Sequence, residues 1–301
     1  MTVVDRWRVV AGDLTDQEWE RLEPLLPSMA PQRGGRWRDH RQVINGILWR
    51  IDNGAKWDQI PERYGPAKTC YDRFSRWEQD GTWARIERHL QTQADADGDL
   101  DWRAQVDSTI VRAHQHAAGA RKGGSPADSR AAQGMGRSRG GLTTKLHLLA
   151  EGRGRSLVKR LTPGQASDTK ELVPLLDNVA VARPGGIGRP RKRLDHLTAD
   201  KAYGSKANRR SLRARRIPHT IPERDDVRRS RARKGSRGGR PPNFNGQRYK
   251  DRNQVERAFN RLKQFRAVAT RYDKLKDRYE ATVTIASIMI WLRAKPDRSS
   301  P

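Results

Sequence analysis

Apolar residues recur at helical spacing along the first third of the chain. Trp19, Leu22, Leu25 and Leu26 follow Thr15 and Glu18, which have capping-box spacing, and Pro24 is placed to kink the end of that helix. Asp39 and Gln42 offer a second cap. Val43, Ile44, Ile47, Leu48 and Ile51 then form one apolar face, and Gly54 stops the helix. A helical turn at 57–61 leads to Gly65-Pro66, where proline suits a first helical position. The helix expected over 66–79 buries Cys70, Phe74 and Trp77 at i, i+4 and i+7, and its other face carries Lys68, Thr69, Arg73 and Arg76. This outline fits a helix-turn-helix reader whose last helix enters a major groove. It fits equally a plain bundle whose basic face is only solvated.

From Asp101 the pattern alternates between strands and helices. Strands are expected at 102–110, 142–149, 157–162, 196–199 and 217–221, and helices at 168–176, 206–215, 249–265 and 279–292. The last helix is apolar on nearly every face yet too short to span a bilayer, so it reads as buried core. The pattern divides the chain into a small all-α domain, 1–95, and an α/β domain, 101–301. No internal repeat is present.

Charge narrows the partner class. The 301 residues carry 62 Lys and Arg, 47 of them Arg, against 35 Asp and Glu, for a net charge of +27. Such an excess repels itself unless a polyanion lies against it, which points to nucleic acid and moves the helical outline toward a double-stranded DNA reader. Three basic, glycine-containing stretches, 117–141, 183–193 and 224–248, read as loops or segments that order on phosphate. A single cysteine, Cys70, excludes an internal disulfide framework and a thiolate zinc cluster. No apolar run is long enough for a membrane span, and the amino terminus lacks a secretory signal. The expected location is the cytoplasm, in association with the nucleoid.

The candidate chemistry lies on the helix expected from Tyr249. On an ideal helix Tyr249, Arg252, Glu256 and Lys263 fall within an arc of about 60°, beside a sector of Val255, Ala258, Phe259, Leu262 and Phe265. Asp107, near the end of the first strand, and Asp200, directly after another, would face one cleft of an open sheet, and the helix could supply Glu256 as a third acid. Taken singly, each Asp also reads as a strand-end cap, and Arg252–Glu256 as an ordinary i, i+4 pair. Taken together, three carboxylates without a thiolate make a hard, all-oxygen set suited to Mg²⁺ or Mn²⁺ rather than zinc.

The ungapped run Tyr249-x-x-Arg252-x-x-x-Glu256-x-x-x-x-x-x-Lys263 matches the Tyr–Arg–Glu–Lys signature of insertion-sequence DDE transposases. Asp200-Lys201-Ala202-Tyr203 resembles the segment around their second Asp, and Val106-Asp107-Ser108-Thr109 the segment around their first. The amino-terminal LTDQEWERLEPLLP and GRSRGGLTTKLH from Gly136 resemble the insertion-sequence-five group. The resemblance implies a ribonuclease-H-like catalytic domain, with a mixed five-stranded sheet flanked by helices, in which Asp107, Asp200 and Glu256 hold two divalent ions. Mg²⁺ is the implied ion, and Mn²⁺ could replace it. Tyr249, Arg252 and Lys263 would contact phosphates of the element's end, and Lys68, Thr69, Arg73 and Arg76 would face DNA from the helical domain. The implied activity is cleavage at terminal inverted repeats followed by 3′-OH strand transfer, run by a homodimer on DNA. It leaves second-strand processing open.

Other features carry less. His114 and His116 would share a strand face but lack further zinc ligands of matching type. Gly185-Gly186-Ile187-Gly188 lacks the strand and helix of a nucleotide-binding loop, so no nucleotide cofactor is expected. Most of the nine Trp residues sit at core spacing rather than as stacking platforms. The competing readings are a DNA-binding regulator or transposase remnant that does not cut, and a structure-selective nuclease of the same fold.

Overall fold

In the computed structural model, residues 12–30, 37–118, 129–138 and 140–294 are described. The amino-terminal part is all-helical: α1 (Asp16–Leu22), α2 (His40–Asn53), α3 (Ala67–Gln79) and α4 (Thr82–Ala96). Its punctuation follows the sequence. Thr15 and Glu18 form the capping box, Pro24 opens a 3-10 turn, Asp39 caps α2 through the Gln42 amide, and Gly54 ends α2 at φ 63°. Two 3-10 turns, Trp57–Gln59 and Glu62–Tyr64, link α2 to α3, whereas only Asp80 and Gly81 separate α3 from α4. In α4 the signal is the buried stripe Trp83, Ile86, Leu90 and Ala94.

The remaining elements alternate as expected. They are β1 (Arg103–Ala113), α5 (Gln115–Ala118), β2 (Gly136–Ser138), β3 (Gly141–Ala150), β4 (Ser156–Pro163), α6 (Asp168–Asp177), β5 (His196–Ala199), α7 (Lys206–Ala214), β6 (His219–Thr220), α8 (Asp225–Arg233), α9 (Gly246–Tyr249), α10 (Asn253–Gln264), α11 (Arg266–Ala269), β7 (Thr270–Arg271) and α12 (Lys276–Arg293). The sheet runs β4-β3-β1-β5-β6, antiparallel from β4 to β1 and parallel from β1 to β6. This is the mixed five-stranded, ribonuclease-H-like order. The short β2 and β7 add to it, pairing with β3 and β1.

One edge of β1 is left open part of the way. Residues 103–106 pair with β5 and 112–113 pair with β7, so no strand among the described residues covers that edge between Asp107 and Val111. On its other side β1 is paired with β3 from Gln105 to Arg112. The open edge is therefore a window in an otherwise supported strand.

One continuous set of buried side chains runs from Leu14 to Leu292 and joins the helices to the sheet. The axis of this core is α12, which buries Tyr279, Val283, Ile285, Ile288, Met289 and Trp291 and packs against α4. Ion pairs stitch the same junction: Arg50 to Asp273 at 3.0 Å with both side chains buried, Lys159 to Glu87, and Arg293 to Glu18.

Two expectations need correction. The stretch 224–248 is not simply a loop, because it contains α8. That helix buries no residue, but it has Asp225 and Asp226 in its first turn and Arg231 and Arg233 in its last, a charge order that complements its dipole. The helix expected as one piece over 249–265 is α9, a 3-10 turn at Lys250–Arg252, and α10. Of the basic stretch 117–141, residues 119–128 and 139 lie outside the described residues.

His147 on β3 is fully buried, with its Nε2 and Thr162 Oγ1 hydrogen-bonded at 2.8 Å. Burial pushes its pKa down to about 4. The folded chain thus holds a neutral imidazole, and the unfolded chain takes up a proton as pH falls below about 6.5. Stability contributed by the neutral ring is complete above that pH and is lost down to about pH 4. Urea unfolding between pH 7 and 4 should show a steeper loss for the wild type than for His147→Gln; equal slopes would refute this account.

Candidate active site

Asp107 and Asp200 stand where the parallel pair ends. The last β1–β5 partners are Val106 and Ala199, and each acid is the next residue of the chain. Beyond that point the backbone amides lack a strand partner, and each acid supplies one. The Ser108 amide donates to Asp107 Oδ1 at 2.8 Å, and the Lys201 amide donates to Asp200 Oδ1 at 2.6 Å. Asp200 caps the turn that follows β5, whereas Asp107 lies inside β1 rather than near its end as expected, at the point where pairing with β5 stops, and the register brings both to one opening of the sheet.

Arg252, on the 3-10 turn before α10, connects Asp107 to Glu256. Its Nη2 donates to Asp107 Oδ2 at 2.7 Å and its Nη1 to Glu256 Oε1 at 3.0 Å. The Asp107 side chain is 20% exposed and that of Glu256 50%, so the bridge spans the mouth of the opening. Burial lifts the Asp107 carboxyl above its ordinary range; the Ser108 amide and Arg252 oppose the lift, and the nearby Asp200 charge adds to it. Burial works against the Arg252 charge, but Asp107, Tyr249, Asp200 and Glu256 hold its pKa above the usual value. Tyr249 is raised by burial against the pull of Arg252, with Asp200, Asp107 and Glu256 contributing. These five groups therefore share one electrostatic field.

Lys263 reaches β1 further along, where its Nζ donates to Thr109 Oγ1 at 2.6 Å and burial lowers its pKa. Ser108 and Thr109, which received no role from the sequence, thus make the contacts that tie the strand to its surroundings.

The donor set fits hard divalent ions: carboxylate and hydroxyl oxygens with no thiolate, at a place where burial and the neighbouring Asp200 both raise the cost of the Asp107 charge. As the side chains stand, no three acidic, His or Cys groups among the described residues are close enough together to hold a metal ion. The Arg252 guanidinium occupies the position between Asp107 and Glu256.

The basic face expected on α3 is only partly outward. Lys68 is exposed and paired with Asp72 at 2.5 Å, Thr69 is half-buried, and Arg76 is exposed. Arg73 is buried, contrary to its expected place on the DNA-facing side. Its guanidinium stacks 4.0 Å from the Trp37 ring centroid and donates to His40 Nδ1, while His40 Nε2 donates to the Pro27 carbonyl. Burial and the neighbouring Arg76 bring the Arg73 pKa down to about 10. Its position on α3 puts it beside Trp77, and helical spacing alone does not distinguish an outward Arg from one laid over aromatic rings.

Residues 101–291 match the family model of the transposase DDE domain, and residues 14–87 match a model of IS4/5-family transposases. The chain belongs to the DDE transposase family of insertion sequences. Among its relatives, the protein y4sN of Sinorhizobium fredii is 37% identical over 109 residues, covering 36% of this chain and 83% of that protein. A protein of Brucella ovis, named as a transposase for insertion sequence element IS6501, is 30% identical over 156 residues, covering half of this chain and all of that protein. Among solved structures, a pre-cleavage Mos1 transpososome aligns with 94% of this chain and 86% of its own at 13% identity, but the TM-score of 0.26 is too low to constrain the fold.

Arg73→Ala should lower stability by about 2–3 kcal/mol because it leaves stacked rings and a buried imidazole without their partner. Arg76→Ala should stay within about 0.5 kcal/mol of the wild type. Urea melts of the two variants check this, and equal effects would show that Arg73 is not a core brace.

Proposed function

We propose that this transposase cuts DNA at the terminal inverted repeats of its element and joins the freed 3′-OH to target DNA. The observation that carries the reading is the register of the sheet. It brings Asp107 and Asp200 to one opening, with Glu256 joined to Asp107 through Arg252. In this reading Asp107, Asp200 and Glu256 would hold two divalent ions, Mg²⁺ in the cell with Mn²⁺ able to replace it. When bound, such ions stabilise the attacking and leaving oxygens of an in-line displacement at phosphorus.

The chain's own residues supply position and charge. The Ser108 and Lys201 amides fix one oxygen of each Asp, and Arg252 engages the second oxygen of Asp107. Arg252 and Lys263 would bind phosphates on either side of the scissile bond, and the Tyr249 phenol would donate to one of them. Held protonated by its surroundings, Tyr249 retains its O–H for that role. Both reaction steps are displacements at phosphorus, so one site can run them by positioning and electrostatics.

The proposed division of labour follows the chain: 1–95 reads the element's end, with Lys68, Thr69 and Arg76 facing the duplex, and 101–301 cuts. Joining two ends to one target requires two sites, hence a homodimer on DNA. The exposed basic α8 segment would lie along phosphates. No helix among the described residues is long and apolar enough to cross a membrane, and a protein acting on the chromosome would work at the nucleoid.

The test is a Mg²⁺-dependent nicking assay on labelled terminal-repeat duplex, paired with gel-shift binding. Asp107→Ala, Asp200→Ala and Glu256→Ala should each reduce cleavage by about a hundred- to a thousandfold or more while leaving end binding within a fewfold. Cleavage that survives any one change would remove that residue from the site. Binding without cleavage by the wild type would favour the non-cutting regulator.

A further inference from the structure

We infer that Asp168 is a further acid of this site, a positioning residue that sets Asp107 through Ser108. The inference rests on the reading of Asp107 as an ion-holding carboxylate.

Ser108 is tied to a carboxylate at each end. Its amide donates to Asp107 Oδ1 at 2.8 Å, and its hydroxyl donates to Asp168 Oδ1 at 2.6 Å. Ser108 lies in the window of β1 that neither β5 nor β7 supports, so on that edge these two bonds take over what a neighbouring strand would do. Asp168 opens α6 and is anchored from behind. Lys145 Nζ stands 3.1 Å from its Oδ1 and also donates to the Ala166 carbonyl at 2.7 Å, which fastens the segment before α6 to β3.

With Lys145 against it, Asp168 is a neutralised, fixed acceptor rather than a ligand reaching for a free cation. The alignment therefore runs from Lys145 through Asp168 and Ser108 to Asp107.

Tyr203 closes the same gap from the other side. Tyr203 is 1% exposed, and its hydroxyl lies against Ser108, in the field of Asp168, Asp107 and Asp200, without a fully formed hydrogen bond among the described residues. A buried hydroxyl left without a partner is costly in a purely structural core. Here it borders the acids, where a small movement of Ser108 would give it an acceptor. In the sequence Asp168 is only the first residue of the helix expected over 168–176, and pairing in three dimensions gives it a role.

Groups that orient a metal-holding side chain change ion affinity by about 10- to 100-fold when removed. The test uses the full chain without DNA, with Mn²⁺ binding read from the electron paramagnetic resonance signal of the free ion. Ser108→Ala and Asp168→Ala should each weaken Mn²⁺ binding about tenfold. The double variant should be no weaker than either single one, because both break the same chain of bonds. Asp168→Asn, which keeps an acceptor for the Ser108 hydroxyl, should retain most of the affinity.

The half-saturating Mg²⁺ concentration for nicking should rise in parallel. If Asp168→Ala does not fold, Ser108→Ala, which removes one oxygen atom, carries the test. Wild-type affinity in both single variants, or losses that multiply in the double, would overturn the inference and leave the ion-holding acids in place. A wild type that neither binds Mn²⁺ nor nicks would overturn both.

Discussion

The site depends on an interruption in the pairing of β1. A strand in the middle of a sheet has its backbone groups satisfied on both edges, and it offers its side chains only to the two faces. Here β5 ends at Ala199 and β7 begins its pairing only at Arg112, so the intervening edge of β1 must find other partners. The Ser108 amide takes the carboxylate of Asp107, and the Lys201 amide takes that of Asp200. The need to satisfy exposed backbone and the need to place two acids at one opening are met by the same two side chains. The simple reading of these residues as caps and their functional reading are therefore not rivals.

The large positive charge serves two purposes that composition cannot separate. Part of the arginine complement is internal bracing. Arg271 is fully buried and donates to the carbonyls of Gln133, Asp273 and Lys274 and to Thr144, joining β7 to β3 and the segment before β2. Arg155 pairs with Glu151 and Asp99 and stacks on Trp291. Arg50 and Arg73 anchor the helical part from within. Another part, concentrated on α8 and its neighbours, is exposed and lacks apolar surface to bury. Among the described residues, the exposed arginines are the ones free to follow a polyanion, and the buried ones are committed to bracing.

Much of the architecture was legible because apolar periodicity and turn chemistry agree. The capping box at Thr15, the Gly54 stop, the strand at 196–199 and the buried α12 all follow from local rules. The acids were legible through their position after apolar strands and through the spacing around Glu256. What was not legible depends on contacts far apart in the chain. Arg73 has the spacing of an outward residue, and its burial requires Trp37 from another segment. The 3-10 turn at Lys250–Arg252 interrupts a run that periodicity alone makes continuous, and it carries the arginine that binds both Asp107 and Glu256. Asp168 could be found only by way of Ser108, 60 residues away.

Arg252 also explains why the acids stand as they do. Three carboxylates facing one opening repel one another, and burial of Asp107 raises the cost of its charge. A guanidinium is suited to this place because its planar fork engages two acceptors at once and its charge persists in a partly buried setting. A lysine ammonium could reach either acid, but as a point charge it would not fix their relative orientation. The bridge therefore holds Asp107 and Glu256 in a defined relation although they lie on a strand and a helix 149 residues apart in sequence. Arg252 bonds Asp107 and Glu256 but not Asp200, and no three acidic, His or Cys groups among the described residues stand close enough together to hold a metal ion.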